Sequence, residues 1–219
     1  MKQFCIRLLI MTVGLALFAF GIVMTIKANI GYAPWDVFHA GIAGKTGLSL
    51  GTISILVGVA VGIIVTVLGE KVGLGTILNM VLVGIFIDVF FLLLPLAENL
   101  IIGLTMLFAG LLAISVGTYL YIRTAFGAGP RDSLMVVMAR KTKLSAGVCR
   151  GVMELVVTII GWFLGGMVGA GTVIIVISIG FFIQMTFKLF RFDVTAVKHE
   201  TIIETYATLK RIKTGFIQT

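Results

Sequence analysis

The apolar positions of this chain come in long unbroken runs rather than in alternation. Six runs are long enough to cross a bilayer, at roughly 6–26, 50–69, 74–95, 101–122, 148–165 and 171–190. At about 1.5 Å per residue each reaches across a hydrocarbon core of about 30 Å. Spanning strands would instead show segments of about 10 residues with every second position polar, so the pattern predicts helices and excludes a barrel. The linkers at 70–73 and 96–100 are short and predict antiparallel neighbours. Two linkers are longer, at 27–49 and 123–147. The first holds a 13-residue piece, Pro34 to Thr46, too short to span. Pro34 suits the first turn of a helix, where its missing N–H is not needed, and Gly44 and Gly47 suit its end. The spacing predicts a short helix over 34–46 that lies on or dips into the membrane. After Arg191 the chain becomes polar, and 199–213 reads as a short amphipathic helix.

The two long linkers are copies of each other. Shifted by 96 positions, the chain aligns with itself without a gap. Gly31, Pro34 and Asp36 fall on Gly127, Pro130 and Asp132; Lys45-Thr46 and Leu48-Ser49 fall on Lys141-Thr142 and Leu144-Ser145. Upstream Gly14 meets Gly110, Gly21 meets Gly117 and Lys27 meets Arg123. From 31 to 88, 21 of 58 positions are identical. Chance matches among Leu, Ile and Val carry little weight, but Pro, Asp, Lys, Thr, Ser and Gly in one register indicate duplication. The predicted units are 1–96 and 97–191, each of three spans and a short helix (34–46 and 130–142), followed by a tail at 192–219. Three crossings is an odd number, so the two units are expected to face opposite ways.

Composition agrees. The 219-residue chain is 59% hydrophobic and only 12% charged, about half the charge of a soluble domain. Too little polar surface remains to cover a globule in water. The N-terminus, with Lys2 and Arg7 before an apolar run, reads as a retained first span rather than a cleaved signal, because the run is too long. Cys5 and Cys149 lie in or beside apolar runs, far apart in sequence, and read as packed core thiols.

The net charge of +8 matters through its distribution. With the N-terminus in the cytoplasm, the outside segments 27–49, 96–100 and 166–170 carry only Lys27 and Lys45 among the Lys and Arg residues. The remaining basic residues fall inside, as cytoplasmic loops require. Both termini are then cytoplasmic, and the basic balance points to lipid rather than nucleic acid.

The repeated Gly-x-x-Pro-x-Asp is the most informative constellation. Asp36 and Asp132 fall in the first turn of each short helix, where a carboxylate complements the helix dipole. The same broken segments, in corresponding positions of oppositely facing halves, are also where transporters build binding sites. Trp35 and Arg131 occupy one repeat position and would make such a site asymmetric. Lys27 and Arg123 either snorkel to the interface or pair with these acids or with an anionic substrate. Asn79, Asp88 and Gln184 are polar positions within apolar runs, and Asp88 is the repeat partner of Gln184. An acid in mid-membrane usually faces a cavity or a partner, which makes Asp88 a leading candidate. Glu154 has Arg150 one turn away and is expected to pair with it. The matched glycines at 14/110, 21/117, 73/169, 75/171 and 84/180 read as helix-packing sites. The Gly-rich 166–171 lacks the Lys of a phosphate loop. No paired His/Cys spacing suggests a metal, no cofactor is implied, and no clustered acid–base set suggests an enzyme.

The duplicated Gly-x-x-Pro-x-Asp, carried by Gly31, Pro34, Asp36, Gly127, Pro130 and Asp132 with Lys-Thr-x-Leu-Ser downstream, resembles the bacterial YczE/YyaS/YitT type of membrane protein over about residues 5–195. The resemblance implies a small multi-spanning architecture and a bacterial plasma membrane, but no activity.

The expectation is an all-α membrane protein of six transmembrane helices in two inverted three-helix repeats, each with a short broken helix. It would act as a permease or secondary transporter of a small polar or ionic solute. The solute would lie between the repeats among Gly31, Pro34, Trp35, Asp36, Asn79, Asp88, Gly127, Pro130, Arg131, Asp132 and Gln184. The alternative is a non-transporting membrane scaffold or regulatory partner, working through the basic tail and loop. The oligomeric state, including a homo-oligomer, stays open.

Overall fold

A computed structural model describes residues 2–194, 197 and 199–213. It is all-helical, with no strand among the described residues. Six long helices have the length and hydropathy of membrane spans: α1 (Lys2–Lys27), α3 (Leu50–Val67), α4 (Leu74–Leu93), α5 (Leu100–Ile122), α7 (Ala146–Phe163) and α8 (Ala170–Leu189). Between them lie two short helices, α2 (Pro34–Thr46) and α6 (Pro130–Thr142), with α9 (Ile202–Lys213) in the tail. The short helices occupy the predicted ranges, and the spans end within a few residues of the apolar runs. The tail helix begins at Ile202 rather than at 199, because Thr201 caps it: its hydroxyl accepts from the Glu204 N–H at 3.3 Å.

Local chemistry fixes these boundaries in matched pairs. Pro34 and Pro130 open α2 and α6, each after an extended residue. Gly47 and Lys143 end them in the left-handed region, donating to Ala43 O and Ala139 O at 2.9 Å. A lysine tolerates that conformation less well than glycine. Ser49 and Ser145 cap α3 and α7 by accepting the N–H groups of Thr52 and Val148 at 3.1 and 3.3 Å, as side-chain N-caps do.

Large apolar side chains stay on the outside: Leu92 is 87% exposed, Val67 80% and Phe163 77%. Such a surface is compatible with lipid and not with water. In lipid the helices are held by close packing rather than by hydrophobic burial. The glycines show where. A Cβ on Gly21 would lie 2.6 Å from Gly110 O, and one on Gly117 would lie 2.7 Å from Gly14 O. Residue 14 thus meets 117 while 21 meets 110, so α1 and α5 cross antiparallel with their backbones in contact. Met11, Leu15, Ala19 and Ile22 of α1 complete the central core with Val83 and Ile87 of α4 and Ile114 and Tyr121 of α5.

The short helices pack crosswise, each on a span from the other half. α2 lies on the end of α7, where Gly161 leaves room for the Phe38 backbone and Gly41 for Gly161 O. α6 lies on α3, through Val137, Val61 and Val65. The loops follow the same rule: Gly171 N–H donates to Ile30 O and Gly75 N–H to Phe126 O, both at 2.7 Å. Gly31 and Gly127, at φ of +121° and +129°, place the turns that make these contacts.

Candidate functional site

A cavity of about 490 Å³ opens between the first turns of α2 and α6. Proline fixes where each helix starts, so Asp36 and Asp132 both project from a first turn, two residues later. Pro34, Trp35, Asp36, Asn79, Pro130, Arg131 and Asp132 all line the cavity. The structure therefore brings together seven of the residues singled out in the sequence. Its walls are otherwise mostly apolar, with Phe18, Ile22, Val83, Ile114, Ile175 and Ile179 among them.

The polar side chains form two groups. On the α2 side, Asp36 is 3% exposed and its Oδ1 has no hydrogen-bond partner. His39 Nδ1, one helical turn on, stands 3.8 Å from it. Arg131 reaches across from α6. Its guanidinium lies 4.8 Å from the centre of the Trp35 ring and 3.5 Å from His39 Nε2, a cation–π placement. It forms no salt bridge with Asp36 or Asp132. On the α6 side, Tyr121 OH donates to Asp132 Oδ2 at 3.4 Å. Asn79 flanks the same turn, since a Cβ on Gly129 would meet Asp132 Oδ2 at 3.5 Å and Asn79 Oδ1 at 3.7 Å. On α7, Arg150 Nε donates to Glu154 Oε1 at 2.8 Å, as the spacing predicts, and both line the cavity.

Other candidates lie elsewhere. Gly31 and Gly127 shape the turns behind the cavity rather than its wall. Asp88 does not join Asp36 and Asp132. It caps α3 instead, accepting from Ser49 Oγ at 2.5 Å and from Gly51 N–H at 2.7 Å. Its carboxylate thus finds its partners at a free helix N-terminus, where four N–H groups lack intrahelical acceptors. Gln184 lies exposed on α8, outside the cavity. Lys27 covers the Phe91 ring at 3.9 Å and Arg123 donates to Tyr119 OH at 2.9 Å, so neither pairs with the aspartates. Cys149 is buried, but Cys5 is exposed rather than a core thiol, because it faces outward from α1.

Some site residues were not foreseen. His39 joins Asp36 and Arg131, and its spacing of three from Asp36 is a legible signal. Tyr121 carries no such signal in an apolar run. The tail docks on the bundle. Glu200 pairs with Arg7 at 2.8 Å, and its N–H donates to Ala125 O at 2.7 Å. His199 thereby reaches the cavity lining. Burial pushes the His199 imidazole below its ordinary 6.5, partly offset by Asp132.

Residues 5–188 match the family described as a family of unknown function, DUF6198. The chain is 35% identical over 175 residues to the uncharacterized membrane protein YczE of Bacillus subtilis, covering 79% of this chain and 81% of that one. It is 35% identical over 178 residues to an uncharacterized protein of Haemophilus influenzae (79% and 82%). It is 27% identical over 169 residues to the uncharacterized protein YyaS of Bacillus subtilis (75% and 84%). The resemblance drawn from the duplicated motif is met by these relatives. No solved structure matches the chain.

Proposed function

The chain belongs to the DUF6198 family and is a multi-pass membrane protein, and from its cavity we propose a secondary transporter of a small polar or ionic solute, working by alternating access between two inverted repeats. The solute sits between the two Pro-x-Asp turns. The antiparallel crossing of α1 and α5, and the crosswise packing of α2 on α7 and α6 on α3, support the inverted arrangement. We place the N-terminal face, where α1 begins and α8 ends, in the cytoplasm of a bacterial plasma membrane. The excess of Lys and Arg on that face and the bacterial sources of the relatives support this placement.

One observation carries the reading: two equivalent contacts are in opposite states. On the face opposite the N-terminus, α3 and α4 are closed. Gly51 and Gly84 press backbone to backbone, and Asp88 bonds Ser49 and Gly51. Shifted by 96, the same positions are Gly147, Gly180, Gln184 and Ser145. Between α7 and α8 this second contact is open. Nothing lies within 4 Å of a Cβ placed on Gly147 or Gly180. Ser145 caps only its own helix. The cavity runs through this gap, lined by Met153 and Glu154 of α7 and by Ile179 and Ile183 of α8. Gln184 has the amide to replace the Asp88 carboxylate: its oxygen can accept the Gly147 N–H and its NH₂ can donate to Ser145. A transporter rocks between two such states, closing one face as it opens the other.

The test is access to the cavity from each side. In a chain with Cys5→Ser and Cys149→Ala, Asn79→Cys is labelled in vesicles with an impermeant maleimide. The expected outcome is rapid labelling from the N-terminal face, slower labelling from the opposite face, and a reversed preference on adding Gly84→Val. That substitution places a side chain where Gly51 O would be 2.6 Å from its Cβ and forces α3 from α4. Labelling from one face only, in both chains, would overturn the proposal and favour a scaffold.

A further inference from the structure

We propose that the cavity selects a monocationic amine with an apolar body, held by Asp36 and Asp132. The inference rests on the cavity being the solute site, though not on its moving between faces. Charge bookkeeping within the lining motivates it. Three carboxylates (Asp36, Asp132 and Glu154) face two guanidiniums (Arg131 and Arg150). Glu154 and Arg150 satisfy each other at 2.8 Å. That leaves two carboxylates and one guanidinium, a net negative charge walled by apolar side chains. An uncompensated charge in such surroundings is costly, and a bound cation removes it.

The position of the charges points the same way. Asp36 lines the cavity and is almost fully buried, and its Oδ1 has no hydrogen-bond partner. A buried acceptor left unsatisfied is a site for a donor. Arg131 cannot supply it from where it stands, because its guanidinium is laid on Trp35 and against His39. Asp132 accepts only a long hydrogen bond from Tyr121, 3.4 Å, and keeps acceptor capacity on the cavity side. An ammonium group has donors for both carboxylates. The remaining walls, with Phe18, Ile114, Ile175 and Ile179, take an aromatic or aliphatic body. Ligand pockets of this size and balance, mostly apolar with a few convergent polar groups, bind molecules of that kind.

The experiment uses the purified full-length protein in lipid nanodiscs and isothermal titration calorimetry. Three probes share one body: phenethylammonium, 3-phenylpropionate and zwitterionic phenylalanine. Phenethylammonium is expected to bind, with the anion and the zwitterion at least ~10-fold weaker. Asp36→Asn is expected to weaken it ~10- to 100-fold, the effect of losing one hydrogen bond to a charged partner. Asp36→Glu, which keeps the charge, is expected to retain most of the affinity and guards against misfolding. No binding of phenethylammonium, tighter binding of either other probe, or no effect of Asp36→Asn would overturn the inference. The two claims fail separately. Phenethylammonium binding with no flux in proteoliposomes removes the transporter and leaves the ligand class. Flux of 3-phenylpropionate without phenethylammonium removes the ligand class and leaves the transporter.

Discussion

The carboxylate of Asp88 should set how firmly one face of the protein is closed, and its removal gives a measurable shift. Asp88→Ala deletes the bonds from Ser49 Oγ and Gly51 N–H at 2.5 and 2.7 Å. A hydrogen bond contributes about 0.5–1.5 kcal/mol net, and about 1.5–3 kcal/mol when one partner is charged. Ser49 is exposed and loses part of this to competing water. About 1–1.5 kcal/mol each is then reasonable, or about 2–3 kcal/mol together, a factor of roughly 30–150 in the closed-to-open ratio. A face closed about 100:1 would fall to roughly 40–80% closed. Spin labels at Leu48 and Leu92, which flank the hollow beside Asp88, report the α3–α4 distance by pulsed electron resonance. A second, longer distance should appear in the variant. Asp88→Asn, which keeps one acceptor oxygen, should give a smaller fraction of it. An unchanged distribution in Asp88→Ala would refute the view that this bond holds the face shut.

Two further predictions concern packing and the tail. At Gly161 an added Cβ would stand 2.5 Å from Phe38 Cα and N, so Gly161→Ala should destabilise the α2–α7 contact by about 1–3 kcal/mol, the usual effect of overpacking; detergent thermal-unfolding curves would show a lowered midpoint, and an unchanged one would contradict the packing. The His199 imidazole is held below its ordinary 6.5 by burial, so the undocked tail binds more protons at lower pH. Docking is therefore unaffected above about 6.5 and weakens as pH falls below it; hydrogen-exchange protection factors over 199–205, which remove the intrinsic pH dependence of amide exchange, should fall between pH 7 and 5 in the native chain but not in His199→Gln.

The sequence made the spans, both short helices and seven cavity residues legible, for separate physical reasons. Spans are legible because lipid demands long apolar runs. The short helices are legible because Pro34 and Pro130 set their starts and Lys-Thr-x-Leu-Ser repeats at their ends. Asp36 and Asp132 were found because a duplicated acid beside a duplicated proline stands out against apolar surroundings. Asp88 was legible only in part. Its depth in an apolar run called for a cavity or a partner, and its partners are backbone and hydroxyl groups of a neighbouring helix end, which hydropathy does not encode. Tyr121 was silent, since a tyrosine in a span is as often packing as chemistry. The docking of the tail was not legible, since its composition changes at 192 and Arg7 and Glu200 are brought together only by the fold. The different states of the α3–α4 and α7–α8 contacts could not be read from the sequence, because the glycines that would form both are the same.

If the α3–α4 and α7–α8 contacts work in opposition, two distances must change together. Labels at Leu48 and Leu92 report α3–α4, and labels at the repeat-equivalent Leu144 and Lys188 report α7–α8. Both distances are followed in nanodiscs for the native chain and for Gln184→Asp, which gives the second contact the same carboxylate as the first. Gln184→Asp should shorten the Leu144–Lys188 distance while lengthening the Leu48–Leu92 distance in the same fraction of molecules. A shortened α7–α8 distance with α3–α4 still closed, or no change in either, would contradict it.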